Sequence, residues 1–347
     1  MNEPSVIQDR LQLPRVVAIT GASGLIGRRL LTTLRPTGSQ LRALIHTRPS
    51  DVPVTEIHGD LLNEAALETL VKEANTVVHL AAVAHTRLRS PEEEARAHGI
   101  NVEGTRRLLN AALNAGVSQF LLLSSAHVYA GQQGSMLRET DPTAGDTFYG
   151  ALKLEAERLA LEAQSSAMRV IILRPCLTYG PGAGFNLKNL LRAIRRGYYV
   201  HARNARTERS LASVDTVAQA ITHLLAVPQI EGVFNVADAQ PVVLEEWVNV
   251  LADRMAVRHP RAVPGWVLQT MAAGGSAVES FGFPAPFTHD SLRKLTAPFS
   301  LDVSKLSRTG FVWPQTIEQV LHQMIQAEFA DPSSGDPSSQ GSISQEG

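Results

Sequence analysis

The sequence predicts an α/β protein built on a doubly wound parallel sheet, with a smaller, mixed α/β lobe in the C-terminal half. First, short apolar runs alternate with longer amphipathic stretches through the first half of the chain. Second, a glycine-rich turn at Thr20–Gly27 joins the first apolar run to the first amphipathic stretch. Third, after Arg174 the pattern changes to shorter elements between turns rich in proline and glycine.

Predicted strands of the main sheet such as Val77–Leu80 are apolar on both faces, as expected where helices cover both sides of a parallel sheet. The predicted strands are Val16–Thr20, Leu41–Ile45, Val54–His58, Thr76–Leu80, Phe120–Ser124 and Val170–Leu173. The predicted helices between them are Leu25–Leu34, Asn63–Glu73, Glu92–Ala115 and Tyr149–Ala163.

The C-terminal half is predicted to hold helices at Asp215–Leu225, Leu244–Met255 and Gln315–Phe329. A strand-like run at Val233–Val236 is expected to return to the main sheet. We therefore predict four parts, which are an N-terminal extension (1–15), a dinucleotide-binding Rossmann domain (16–175), a mainly substrate-binding lobe (176–330) and a disordered tail (331–347).

The composition argues against several classes of protein. Lys and Arg (32) balance Asp and Glu (33), and no run of basic residues is long enough to mark a nucleic-acid or anionic-membrane site. The single cysteine, Cys176, lies in an apolar run and is expected to be a buried structural thiol. Because the first residues lack the apolar core of a signal peptide and no stretch reaches transmembrane length, we expect a cytoplasmic protein.

The glycine-rich turn is typical of a dinucleotide site. Gly21, Gly24 and Gly27 lack a Cβ, which permits a sharp turn, a close approach to a pyrophosphate and tight packing of the following helix. The unpaired backbone N–H groups at the start of that helix then face the anion. Ser23, Leu25 and Ile26 complete the predicted contact segment.

Tyr149 and Lys153 stand four residues apart at the start of a predicted helix, so both side chains lie on one face. A free tyrosine has a pKa of about 10. A neighbouring ammonium group and a bound nicotinamide cation favour the phenolate, which suits Tyr149 to exchange a proton with a substrate hydroxyl. Ser125 follows the fifth predicted strand, at the edge where such sheets bind ligands, and can hydrogen-bond the reacting oxygen.

The histidines do not indicate a metal site. His79, His85 and His127 share no ligand spacing with a cysteine or a carboxylate, so we expect structural or pocket histidines. His85 and Arg87 are expected to border the substrate.

Several separate motifs follow one another in the order and spacing of a known family. They are Thr20–Gly27, Gly59-Asp60-Leu61, Leu80-Ala81-Ala82, Asn101–Thr105, Ser124-Ser125-Ala126, Tyr149 to Lys153, Arg174-Pro175 and Tyr179–Gly182. From about Val16 to Phe329, the chain resembles the extended short-chain dehydrogenase/reductase family, which includes nucleotide-sugar epimerases, dehydratases and ketoreductases.

The resemblance implies that Tyr149 is the acid/base and that Lys153 lowers its pKa and holds the nicotinamide ribose. Ser125 would orient the substrate hydroxyl, and Asp60 would accept from the adenine amino group. The remaining implied cofactor contacts are Leu61, Leu80, Ala81 and Ala82. Asn101 would steady a strand end or a cofactor-side water. The resemblance also implies a homodimer that pairs the 92–115 and 149–163 helices.

Two residues of the second lobe match the family's diphosphate-binding positions. Arg209 aligns with a phosphate-binding arginine, and a guanidinium pairs well with phosphate. Asn186 matches a pyrophosphate-binding amide. The resemblance therefore implies a nucleotide-sugar substrate.

The second predicted strand departs from the pattern of NAD-selective members, which end it in an acid that binds the ribose hydroxyls. Here Leu41–Ile45 is followed by His46-Thr47-Arg48, and the first acid is Asp51. Arg48, with His46 or Arg28, is suited to a 2′-phosphate. This departure favours NADP, with NAD as the alternative.

We therefore expect an NAD(P)-dependent oxidoreductase, a C4 epimerase or 4-ketoreductase of a UDP-hexose or UDP-N-acetylhexosamine derivative. Dehydration is less expected, because Ala126 and His127 follow Ser125 where dehydratases carry an acid. The alternatives are a hydroxysteroid or small-carbonyl reductase and, from another class, a non-catalytic NADP-sensing protein.

Overall fold

The computed structural model describes residues 13–83, 90–182, 185–203, 206–280, 287–315 and 317–329. The expectations for His85, Arg87, the first twelve residues and the tail after residue 330 lie outside these ranges.

Seven parallel strands form the main sheet, which confirms the predicted fold class. In chain order they are Val16–Thr20 (β1), Gln40–Ile45 (β2), Thr55–His58 (β3), Thr76–His79 (β4), Gln119–Leu123 (β5), Arg169–Pro175 (β7) and Gly232–Val236 (β12). Across the sheet the order is β12-β7-β5-β4-β1-β2-β3, and every pairing is parallel. The predicted return of residues 233–236 to this sheet is thus confirmed. The order reverses direction between β1 and β4, which is where doubly wound sheets bind their ligands.

The helices are close to those predicted from the sequence. They are Leu25–Leu34 (α1), Glu64–Val71 (α2), Pro91–His98 (α3), Gly104–Asn114 (α4), Phe148–Glu162 (α5), Phe185–Arg195 (α6), Val214–Ala226 (α7), Leu244–Arg254 (α8), Gly265–Ser280 (α9), His289–Thr296 (α10), Ser304–Arg308 (α11) and Ile317–Phe329 (α12). One prediction needs correction, because the single helix expected at 92–115 contains a π-helical segment, Gly99–Glu103, between α3 and α4. Such segments are frequent at functional sites.

Two apolar layers cover the sheet, which explains why the central strands β1, β4 and β5 are buried along their whole length, whereas the edge strand β3 is polar and partly exposed. Val17 and Ile19 of β1 belong to the layer shared with α1 and α7, whereas Val16 and Ala18 belong to the layer shared with α2, α4 and α5. Alternate residues of one strand therefore serve opposite cores.

The second lobe contains short strands from distant parts of the chain. They are Gly134–Leu137 (β6), Leu177–Tyr179 (β8), Val200–Ala202 (β9), Glu208–Arg209 (β10), Leu211–Ser213 (β11), Val242–Val243 (β13), Arg261–Val263 (β14) and Phe299–Leu301 (β15). A four-stranded sheet has the order β13-β10-β15-β6, while β11 pairs with β8 and β14 with β9. The division of the chain into domains at residues 15, 175 and 330 stays a prediction.

Among the described helices, none combines the length and the apolar character needed to cross a membrane.

Candidate active site

The glycine turn lies where the sheet order reverses, against the end of β4. Gly21 has a φ of 73°, and a Cβ there would lie 2.6 Å from the backbone N of Ala81. A Cβ on Gly27 would lie 2.2 Å from the Gly21 carbonyl oxygen. The two glycines are therefore required by backbone contacts around the turn, as the sequence predicts.

The first turn of α1 suits an anion. Its N-cap, Gly24, is exposed and supplies no side-chain hydrogen bond, and the turn carries no acidic residue. In contrast, helices α2, α3, α5 and α7 are capped by the side chains of Asn63, Ser90, Thr147 and Ser213. Because the N–H groups of α1 are not met by such a side chain, they fit the pyrophosphate of a dinucleotide. Ser23, Leu25 and Ile26 are half-buried around this turn.

His79 connects the glycine turn to the helical layer. Its Nδ1 lies 2.7 Å from the Thr20 hydroxyl and its Nε2 lies 2.9 Å from the Thr105 hydroxyl. Thr20 also holds the next segment, since its carbonyl accepts from the Leu80 N–H and its hydroxyl accepts from the Ala81 N–H at 3.3 Å. Burial, reinforced by the charge of Lys153, lowers the pKa of His79 to about 3. His79 is thus a neutral structural histidine at physiological pH.

Tyr149 lies in the first turn of α5, beside His127. The two rings make an edge-to-face contact with centroids 5.9 Å apart. Burial raises the pKa of Tyr149 to about 12, so the phenol keeps its proton at neutral pH unless positive charge comes next to it.

Lys153 lies one turn further along α5 and is buried. Its Nζ donates to the carbonyl oxygen of Leu123, the last residue of β5, at 2.8 Å. Burial lowers the pKa of Lys153 to about 8, against the opposing effect of the Glu157 carboxylate. The ammonium group is therefore still charged at pH 7, in a place where its field is weakly screened.

Glu157, one further turn along α5, is a site residue that sequence reasoning missed. Its carboxylate accepts from Arg174 Nε at 3.0 Å and Nη2 at 2.7 Å, and also from the Ser124 hydroxyl. The Arg174 guanidinium also lies 5.0 Å from the centre of the Tyr129 ring. Tyr149, Lys153 and Glu157 recur every fourth residue, and that spacing was the available signal.

Ser125 is buried directly after β5 and Ser124. Its side-chain oxygen accepts from the His127 N–H at 3.2 Å, which caps the short helical turn at 126–128. The hydroxyl proton can be donated elsewhere, so this capping bond is compatible with the predicted contact to a substrate oxygen.

The adenosine contacts predicted from the resemblance occupy two loops. Asp60 is exposed and its carboxylate accepts from the Leu62 N–H at 2.8 Å. Leu61 turns inward, where a Cβ on Gly104 would lie 2.7 Å from it, so only its backbone is suited to a cofactor. Leu80, Ala81 and Ala82 are half-buried.

Asn101 holds the loop after β4. Of its two predicted roles, this contact corresponds to steadying a strand end. From the π-helical segment, its side chain accepts from the Val83 N–H at 2.7 Å and donates to the Val83 carbonyl at 3.0 Å. This pair of bonds fixes the chain just beyond Ala82.

The loop after β2 carries the groups that would meet the adenosine ribose. Arg48 is exposed there. Arg28, in the first turn of α1, pairs with Asp51 at 3.1 Å. The first acid after β2 is therefore paired with a basic residue of the glycine-turn helix.

Arg209 lies half-buried on β10 in the second lobe, opposite Val242. Burial lowers its pKa, while the neighbouring Tyr199 opposes that shift. Asn186 belongs to α6, and its side chain lies outside the described part of the structure. The structure thus places Arg209 in the lobe expected to hold the substrate and does not test the contacts of either residue.

Cys176 is buried, and burial raises the pKa of its thiol well above the usual value, as expected of a structural cysteine.

Comparisons with known proteins agree with this arrangement. A model of the NAD dependent epimerase/dehydratase family matches residues 17–237. A UDP-glucose 4-epimerase of Vibrio cholerae is 29% identical over 333 residues, which cover 91% of this chain and 96% of that protein. An N-acetyl-alpha-D-glucosaminyl-diphospho-ditrans,octacis-undecaprenol 4-epimerase of Escherichia coli O157:H7 is 28% identical over 90% of this chain and 95% of its own length. Among solved structures, MoeE5 in complex with UDP-glucose and NAD superposes with a TM-score of 0.69 and 28% identity, covering 90% of this chain and 98% of MoeE5.

Proposed function

This chain belongs to the NAD dependent epimerase/dehydratase family, and we propose that it is a 4-epimerase of a UDP-hexose or UDP-N-acetylhexosamine. The observation that carries the proposal is the array on α5, in which Tyr149 is followed one turn later by the buried Lys153 ammonium at the end of β5. The names of the Vibrio cholerae and Escherichia coli relatives, both 4-epimerases, support it.

In this proposal, Tyr149 accepts the proton of the sugar 4-hydroxyl as the C4–H bond breaks, and it returns that proton when the ketone is reduced on its other face. Bound NAD supplies the hydride acceptor and donor at C4. Ser125 donates a hydrogen bond to the reacting oxygen, and the Lys153 charge favours the phenolate. Burial raises the pKa of Tyr149 to about 12 with Lys153 already in place, so the cationic nicotinamide is expected to supply the further stabilisation that the phenolate needs.

The first turn of α1, with Gly21, Gly24 and Gly27, would hold the pyrophosphate, and Lys153 would hold the nicotinamide ribose. We propose NAD rather than NADP as the dinucleotide. Arg28, a candidate partner of a 2′-phosphate, is already paired with Asp51, and the similar MoeE5 is in complex with NAD. Arg48 keeps NADP as the alternative.

A 4-ketoreductase would use the same residues and consume the cofactor. The experiment is to incubate the purified chain with UDP-hexoses and UDP-N-acetylhexosamines, with and without NADH or NADPH. Sugar configuration is followed by chromatography and the nicotinamide by its absorbance. Interconversion of the 4-epimers without net change in nicotinamide is expected, whereas stoichiometric oxidation or reduction would replace the epimerase with a ketoreductase.

The remaining alternatives make different predictions in the same assay. A hydroxysteroid or small-carbonyl reductase has no use for the half-buried Arg209, so UDP would not compete with its substrate. An NADP-sensing protein would bind the dinucleotide and give no turnover with any of these sugars.

A second candidate substrate is a sugar diphosphate carried on a polyprenol, the kind of substrate in the name of the Escherichia coli relative. The observation that favours it is the apolar side chains of Trp266 and Met271, which α9 exposes on the second lobe. Adding a short-chain polyprenyl-diphosphate sugar to the assay distinguishes it from the UDP-sugars.

A further inference from the structure

Two segments of the second lobe concentrate positive charge that the chain as a whole does not have. Residues 192–209 and 253–261 carry nine arginines and two carboxylates, Glu208 and Asp253, in a chain with a formal net charge of −1. Neither segment contains a long basic run, so the sequence alone gave no sign of a charged surface.

The fold brings the two segments together. β9 and β14 pair in parallel, with Val200 opposite Arg261, and the Arg203 N–H donates to the Val263 carbonyl at 2.7 Å. Arg196 and Arg203 flank β9, and Arg258 and Arg261 precede or begin β14. These four arginines are exposed.

Large aromatic side chains are exposed among these arginines. Tyr198, two residues before β9, is 77% exposed, and Trp266, at the start of α9, is 66% exposed. We call Arg196, Tyr198, Arg203, Arg258, Arg261 and Trp266 together the arginine–tryptophan surface.

Helix α9 continues this surface with apolar side chains. Leu268 and Ala272 are buried and hold the helix on the lobe, while Met271 and Val278 are 48% and 46% exposed. Glu279 is the only charged residue of the sequence between 265 and 280. Clustered arginines next to exposed aromatic and aliphatic side chains are typical of elements that lie in the headgroup region of a bilayer.

We propose that the arginine–tryptophan surface and α9 dock this protein onto an anionic phospholipid bilayer. The arginines would meet lipid phosphates, and Trp266 and Met271 would enter the boundary between headgroups and acyl chains. The protein would lie on the bilayer, because no described helix can span it. A nucleic-acid partner fits less well, since it would leave the exposed apolar side chains of α9 without a matching surface and would be repelled by Glu279.

Vesicle binding tests this inference without substrate, so it is independent of the proposed epimerase activity. The full chain is sedimented with vesicles of phosphatidylcholine alone or of phosphatidylcholine mixed with phosphatidylglycerol. We expect binding to the mixed vesicles, little to the neutral ones, and a decline with added salt as the charges are screened. Equal binding to both kinds of vesicle, or to neither, would overturn the proposal.

A matched pair of double variants locates the surface. R258Q/R261Q removes two exposed arginines of the surface, and R35Q/K72Q removes two exposed basic residues of the main domain. At about fivefold in affinity per charge, the first pair is expected to weaken binding by roughly 25-fold while the second leaves it unchanged. Equal losses in both would show only a response to net charge and contradict the proposed site. Thermal unfolding checks that both variants are folded.

Trp266 gives a second, site-specific readout. Of the three tryptophans, Trp247 is buried and Trp313 is half-buried and donates to the Ala237 carbonyl. Mixed vesicles are therefore expected to shift the emission of the wild-type chain to shorter wavelength, and brominated lipids to quench it. The W266F variant should still bind and lose the shift, whereas W266A should bind at least several-fold more weakly. An emission shift that persists in W266F would contradict the proposed position of Trp266 in the bilayer. Loss of vesicle binding on addition of single-stranded RNA would favour a nucleic-acid partner and contradict the docking proposal.

Discussion

The two ends of the proposed dinucleotide cleft differ in how their charges are held. Near α5, Lys153 and Glu157 are buried and each makes defined hydrogen bonds. Near β2, Arg28 and Asp51 form one ion pair in solvent, beside the exposed Arg48. A buried charge is costly to move or replace, whereas an exposed pair contributes little and can be exchanged. Substitutions near α5 are therefore expected to disrupt catalysis, whereas substitutions near β2 are expected to change the preference between NAD and NADP.

The sharpest test of the α5 end is Tyr149→Phe. Loss of the proton carrier is expected to lower kcat by about 10²- to 10⁴-fold. Dinucleotide affinity, measured by titration, should change little. Tyr198→Phe, which removes an exposed hydroxyl from the second lobe, is the control and should retain turnover. Full turnover in Tyr149→Phe would disprove the acid/base role.

Glu157→Gln is expected to cost about 3 kcal/mol of unfolding free energy, because it leaves Arg174 buried without its carboxylate. Since that carboxylate raises the pKa of Lys153 against burial, its loss should lower that pKa below about 8. The alkaline limb of the kcat/KM profile should then move to lower pH, and urea unfolding measures the stability.

Asp215→Asn is the matched control, because it removes another buried carboxylate, which pairs with Arg29 on the other side of the sheet. It should lose stability and keep the wild-type pH profile; an unmoved limb in Glu157→Gln would show that Glu157 is structural only.

His79, between the two ends of the cleft, is expected to make the free energy of unfolding depend on pH. Its folded pKa of about 3 lies below the ordinary histidine value of 6.5, so below pH 6.5 the unfolded chain binds a proton that the folded chain does not. The unfolding free energy should therefore fall by about 1.4 kcal/mol per pH unit from this group as pH drops toward 3. His79→Gln should reduce the slope measured by urea unfolding, and the same change at the exposed His58 should not. Equal slopes in wild type and His79→Gln would contradict this assignment.

The smallest effect is expected at the β2 end. Asp51→Asn releases Arg28 from its ion pair, and the ratio of NADPH to NADH affinity should rise about two- to fivefold, in line with the modest strength of an exposed pair. Fluorescence titration with each reduced cofactor measures the ratio. Glu73→Gln changes an exposed acid just before β4, at the amino-terminal ends of the strands, and should leave the affinity ratio unchanged. A fall in the ratio would mean that Arg28 does not face the adenosine ribose.

The central strands of the main sheet could be predicted from the sequence because burial on both faces leaves a continuous apolar signal. Each of its first six strands was predicted to within two residues, β1 with its observed bounds. The strands of the second lobe were not, because runs such as Glu208–Arg209 and Val242–Val243 are too short to show a period and pair with residues far away in the chain. The π-helical segment at Gly99–Glu103 has no sequence period of its own, so the sequence predicts an ordinary α-helix there.

The residues of the candidate site could be predicted where they belong to short sequence motifs. They could not be predicted where a side chain pairs with a residue far away in the sequence. Tyr149, Lys153 and the glycine turn stand in short patterns. In contrast, the partners of Glu157 come from β7 and the end of β5, and the pair Arg28–Asp51 joins a helix to a loop after another strand. Residue type and spacing do not reveal such pairs until the sheet order is known.

The pairing of β6 with β15 in the second lobe is also expected to set when the site is completed during synthesis. The segment between Ser125 and Tyr149 contains β6, which pairs with β15, and the Gly134 N–H donates to the Pro298 carbonyl. These contacts are separated by more than 150 residues of chain, a distance that makes their formation slow. While the ribosome is still adding residues before 299, the glycine turn and most of the main sheet are available, but the loop that carries Ser125 to the start of α5 has no partner strand. The nascent chain is thus expected to acquire the ability to bind a dinucleotide before it acquires the ability to use one.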